Sequence, residues 1–195
     1  MKIAIDLNDV VRDFSNNFLK YYCESYDHTF NPDGFEFWTN DMRILFPFKT
    51  DNAYNRFVYD DFSFELFGKC ETCGRSLTTD LSVWLRDIEN IETDEKIEVM
   101  FVSTMEYGAS IGYSYFFISK LGTDVREVYF PKYSLDVWDR CDVLITANPQ
   151  LLNNKPEGKK SVKIKTEYNN ECDGDFEYRS LSKFCQDVNN TEKLF

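Results

Sequence analysis

The stretch Lys2-Ile3-Ala4-Ile5-Asp6-Leu7-Asn8-Asp9-Val10-Val11 constrains this chain more than any other. Its apolar residues suit a short strand. Three oxygen-bearing side chains, Asp6, Asn8 and Asp9, then fall within four positions where that strand ends. In extended chain Asp6 and Asn8 project from the same face. Open α/β sheets bind ligands beyond the carboxyl ends of their strands. A carboxylate at this position is therefore a candidate catalytic group, and the plainer alternative is a first strand with a polar exit turn. Asp9 and Arg12 read as a local ion pair.

Further along, apolar runs of strand length alternate with helical spacing. A helix is expected over 12–26, where Phe14, Phe18, Leu19, Tyr21 and Tyr22 recur at helical intervals. Asn31-Pro32-Asp33-Gly34 is a turn. Short helices are expected over 52–60, 62–67 and 79–89. The last is capped from Ser76 or Thr79 and presents Leu81, Trp84, Leu85 and Ile88 on one face. Strands return at 97–102, 124–130, 142–145 and 161–165. Helices follow at 109–121, stopped by Gly122, and at 180–188. Residues 169–175 read as a loop. The alternation predicts an α/β fold, a parallel sheet sandwiched by helices. Residues 1–14 and 95–195 would form the core domain, with 15–94 a mostly helical insert.

A chain of 195 residues suits one domain, or a core with an inserted subdomain. Its net charge of -12 disfavours free nucleic acid as a partner. No apolar run reaches the roughly 18 residues of a membrane span. The expectation is a cytoplasmic protein without a signal peptide, its six cysteines free thiols. Cys70-Glu71-Thr72-Cys73 is half of a zinc knuckle. Without a second pair, two ordinary cysteines beside a turn is the preferred reading over structural zinc. The lone histidine, His28, reads as an exposed turn residue. The 18 Phe and 12 Tyr imply an aromatic-rich core or partner surface.

Ile3-Ala4-Ile5-Asp6-Leu7-Asn8-Asp9-Val10-Val11 resembles motif I of the haloacid dehalogenase (HAD) superfamily, a hydrophobic strand followed by Asp-x-Asp. The resemblance implies a HAD-like Rossmannoid core with a C1 cap, the helical insert over 15–94. It implies that Asp6 is the catalytic nucleophile and that Asn8 stands at the general acid/base position. Mg²⁺ would sit at Asp6 and Asn8. Ser103 or Thr104, after an apolar strand, would be the motif II hydroxyl that binds phosphate, and Lys132 the motif III lysine. Cys141 to Pro149 is similar to motif IV of the cytosolic deoxyribonucleotidase branch, with Thr146 and Ala147 where that branch has two acids.

An amide does not shuttle protons as a carboxylic acid does. The expectation is therefore a HAD-like phosphohydrolase for a small phosphorylated substrate, such as a nucleoside monophosphate, with catalysis weakened or lost. The alternative is an inactive binding or assembly module, for example in a viral particle. There the aromatic-rich cap would be the surface for a protein partner.

Overall fold

Six strands form one parallel sheet: β1 (Lys2–Asp6), β2 (Glu98–Val102), β3 (Glu127–Tyr129), β4 (Val143–Thr146), β5 (Lys160–Ile164) and β6 (Phe176–Tyr178). Their spatial order is β3-β2-β1-β4-β5-β6. The computed structural model describes residues 1–26, 39–91 and 96–187. The expected turn at 31–34, His28 and the end of the last expected helix lie outside them.

The sheet's two faces follow from strand geometry. Ile3 and Ile5 of β1 join one buried cluster, while Ala4 between them joins the other. β2 and β4 alternate likewise: Phe101, Val143 and Ile145 face the first cluster, Met100, Val102 and Leu144 the second. A strand buried on both faces needs a continuous apolar run, which is how these segments read.

Helices cover both faces. The first face carries α5 (Leu77–Glu89), α6 (Ala109–Leu121) and α8 (Leu181–Gln186) through Leu81, Trp84, Ile88, Phe117, Leu181 and Phe184. The second carries the 3₁₀ turn Ser134–Asp139 and α7 (Pro149–Asn153) through Val137, Trp138 and Leu151. α6 stops at Gly122, whose φ of 62° is the left-handed cap conformation that favours glycine. α7 starts at Asn148, whose side chain accepts from the Gln150 N–H, with Pro149 at the first helical position. Both α7 and β6 are additions to the elements expected from sequence.

A third cluster is aromatic and separate. It is built by α1 (Phe14–Ser25), α2 (Met42–Leu45), α3 (Asp51–Arg56), a π-helical turn (Phe57–Asp61) and α4 (Ser63–Phe67). Phe18 is at its centre, with ring centroids 4.8 Å from Phe46, 5.1 Å from Phe57 and 6.1 Å from Phe14. The insert expected over 15–94 thus divides. α1 to α4 surround this cluster, whereas α5 turns Leu77, Leu81, Trp84 and Ile88 onto the sheet's own core. Among the described residues no helix is long and apolar enough to cross a membrane.

Candidate functional site

β1 pairs with β2 on one side and β4 on the other, so the strand order reverses between β1 and β4. The crevice beyond the carboxyl ends at such a switch point is the general ligand position of open α/β sheets. A cavity of about 400 Å³ lies there, with Asp6, Asn8, Asp9, Thr104, Asn148 and Tyr168 in its wall. The α1–α4 module closes the opposite side with Asp41, Arg43, Tyr54 and Tyr59.

Asp6 is the last residue of β1 and only 3% exposed. Its Oδ2 accepts a 2.7 Å hydrogen bond from the Thr146 hydroxyl at the end of β4. Thr146 Oγ1 in turn accepts from the Asn148 N–H at 3.0 Å, which leaves its single proton for Asp6. Asp6 Oδ1 is buried without a hydrogen-bond partner. Burial pushes the Asp6 carboxyl up to about 7; the Thr146 hydrogen bond and the nearby Asn8 N–H oppose that, and the charges of Glu106 and Asp9 add to it.

Asn8 is tied at both ends of its amide. Its Oδ1 accepts from Arg12 Nε at 2.8 Å, and its Nδ2 donates to Ser103 Oγ at 3.2 Å. Arg12 is wholly buried. It donates to the Phe67 carbonyl at 2.9 Å and to Ser114 Oγ at 2.8 Å, pairs with buried Glu106, and stacks on the Phe67 ring. Asp9 takes a left-handed φ of 58°, which Asp and Asn tolerate better than most residues. Its carboxylate accepts from the Ser15 N–H and hydroxyl and from the Tyr168 hydroxyl, and burial raises its pKa. The ion pair expected between Asp9 and Arg12 is therefore not formed: each has better partners, because their side chains point to different elements.

Tyr168 is held in place by its neighbour. Asn169, fully buried, donates to the carbonyls of Ala147 and Ile164, which joins the loop after β5 to the end of β4.

The other expected residues distribute unevenly. Thr104 lines the cavity. Ser103 is buried beneath it as the partner of Asn8. Lys132 is exposed, its ammonium 5.2 Å from the Tyr133 ring centre, and is not among the lining residues; Ser134, two positions on, is. Cys70 donates to the Asp13 carbonyl, and burial pushes its thiol up to about 12 and the Cys73 thiol well above its usual value. None of the six cysteines, all among the described residues, is in a disulfide.

Sequence reasoning missed the Thr146 contact and the Arg12–Glu106 pair. No motif announces either, since their members lie 140 and 94 residues apart.

As a donor set for Mg²⁺ these residues fit poorly. Mg²⁺ wants hard oxygens, carboxylates foremost. Among the described residues near the strand ends, the buried carboxylate oxygens without a partner are Asp6 Oδ1, on a carboxyl pushed up to about 7 by burial, and Glu106 Oε2, whose carboxylate is paired with Arg12. Asp9 is engaged by Ser15 and Tyr168, and the Asn8 side chain by Arg12 and Ser103. Among the described residues no three His, Cys, Asp or Glu side chains converge as a metal site.

No family model matches the sequence, and no curated protein matches it significantly.

Proposed function

We propose that the chain is a protein of the HAD type in which phosphoryl transfer is disabled and the switch-point cleft is kept as a small-molecule pocket. The motif I resemblance, the strand-end position of Asp6 and the helical module between β1 and β2 support the family reading. On that reading α1 to α4 serve as the C1 cap.

The observation that carries the functional part is what surrounds Asp6. A nucleophilic carboxylate has to be ionised, and phosphoryl transfer needs cations at the phosphate and an acid for the leaving group. Here the Asp6 carboxyl is buried and bonded to a neutral hydroxyl, and burial pushes it up to about 7, which disfavours the ionised form. Asn8, at the acid/base position, is held between Arg12 and Ser103. Loss of general acid/base catalysis alone typically lowers rate by about 10²–10⁴-fold. Loss of electrostatic stabilisation lowers it further.

The buried rings of the aromatic module form a core of their own, which speaks against reading them as a protein-partner surface. Its rings at Phe14, Phe18, Phe57 and Phe67 are buried against one another.

The test is phosphatase activity with Mg²⁺ on p-nitrophenyl phosphate and the nucleoside monophosphates. Wild type, Asp6→Asn and a triple variant with Asn8→Asp, Thr146→Asp and Ala147→Asp are compared. Wild type is expected to equal Asp6→Asn at background. Turnover by wild type that Asp6→Asn abolishes would restore the reading of Asp6 as a working nucleophile. Activity gained only in the triple variant would identify the missing acids as the cause.

A further inference from the structure

We infer that the cleft takes an uncharged, hydroxyl-bearing small molecule of pentose-to-nucleoside size, in preference to its phosphate ester. This rests on the reading of the cleft as a pocket without phosphoryl transfer.

The buried Asp6 Oδ1 carries the argument. Asp6 is in the cavity wall and its Oδ1 is buried with no hydrogen-bond partner, and an orphaned buried oxygen beside a cavity is a place for a ligand's hydrogen bond. An ionised Asp6 accepts from a ligand hydroxyl there, and a protonated one donates to it; a hydroxyl satisfies both states.

The charges around it are already compensated. Arg43 is the cation in the lining, and its Nε and Nη2 grip the Asp41 carboxylate at 2.9 and 2.7 Å. That fork is the geometry by which arginine holds a phosphate, and here Asp41 occupies it. Arg12 lies beneath the wall, consumed by Glu106, Asn8, Ser114 and Phe67. Lys132 lies outside the lining. A phosphate dianion would therefore enter among Asp6, Asp9 and Asp41 with no uncommitted cation among the described residues that line the cavity. An organic cation gains little either, since Asp9 is saturated by Ser15 and Tyr168 and Asp41 by Arg43.

The remaining polar lining is of mixed donor and acceptor character. Asn55 and Gln150 bring side-chain amides, as do Asn40 and Asn148, although Asn148 Oδ1 already accepts from Asn40 Nδ2 and the Gln150 N–H. Amides with both a donor and an acceptor suit hydroxyl groups, which also have both. A volume of about 400 Å³ falls within the usual range for small-molecule pockets.

The test is isothermal titration of the full chain in EDTA with ribose, thymidine, their 5′-phosphates and putrescine. Ribose or thymidine is expected to bind at least tenfold more tightly than its own phosphate and than putrescine. Asp6→Ala should weaken that binding at least tenfold, and Asp6→Asn, whose amide still bonds a hydroxyl, should weaken it less. Equal or tighter binding of the phosphates overturns the inference, as does tighter binding of putrescine or no binding of either neutral probe at millimolar concentration. Phosphates that bind as tightly as the neutral probes or more tightly, without being hydrolysed in Mg²⁺, would sink this inference alone. Hydrolysis of them would count against the loss of phosphoryl transfer as well.

Discussion

Asp6→Asn should stabilise the protein, and by an amount that grows with pH. The carboxyl rises from 3.8 to about 7 on folding, chiefly through burial. That is roughly three pH units at about 1.4 kcal/mol each, so ionised Asp6 costs the fold roughly 4 kcal/mol. The sign follows from proton binding. Below about pH 4 the group is protonated in both states and no penalty exists. Between about pH 4 and 7 the unfolded chain ionises and the folded one does not, so stability falls as pH rises. Above about pH 7 both are ionised and the penalty is constant. Asparagine has the same shape, keeps an acceptor for the Thr146 hydroxyl and carries no charge. Urea denaturation of both proteins in EDTA should therefore show the variant's advantage growing by roughly 2 to 3 kcal/mol from pH 5 to pH 8. The difference between the two proteins largely removes other titrating groups. A difference that stays flat across this range, or that favours wild type increasingly at high pH, would refute the claim that Asp6 is held in a dry site.

Three further outcomes follow from the packing. Arg12→Met should cost about 3–5 kcal/mol, read from urea midpoints, because it leaves Glu106 buried and unpaired. Phe18→Ala should cost about 3–5 kcal/mol by the same assay, since it empties the centre of the aromatic cluster. Asn169→Ala should cost about 1–3 kcal/mol in denaturant unfolding and speed amide hydrogen exchange near Tyr168, as it orphans the carbonyls of Ala147 and Ile164.

Local rules made much of the fold readable. The buried apolar run before Asp6, the one-sided spacing of Leu81, Trp84 and Ile88, and Gly122 as a helix stop each act over a turn or two of chain. β6 escaped because three residues with one polar centre do not make a pattern. α7 did have a signal, an Asn cap followed by Pro, but it sat inside the stretch compared with motif IV. The site was legible only where one residue sufficed. Asp6 could be singled out from its place at a strand end. What Thr146 does to it, and why Arg12 ignores Asp9 for Glu106, depends on which distant strands and helices become neighbours.

The strand order also sets a schedule for synthesis. β1 is one of the sheet's two middle strands, yet its partners are made long after it: Asp6 waits 96 residues for Val102 and 140 for Thr146. Until β2 arrives both edges of Ile3, Ala4 and Ile5 are open, and one edge stays open until β4 is made. Contacts this distant are slow to close and leave a sticky intermediate while they wait. A nascent chain stalled before Val143 has a half-built sheet at its centre, and that is the point in its life where a chaperone would matter most.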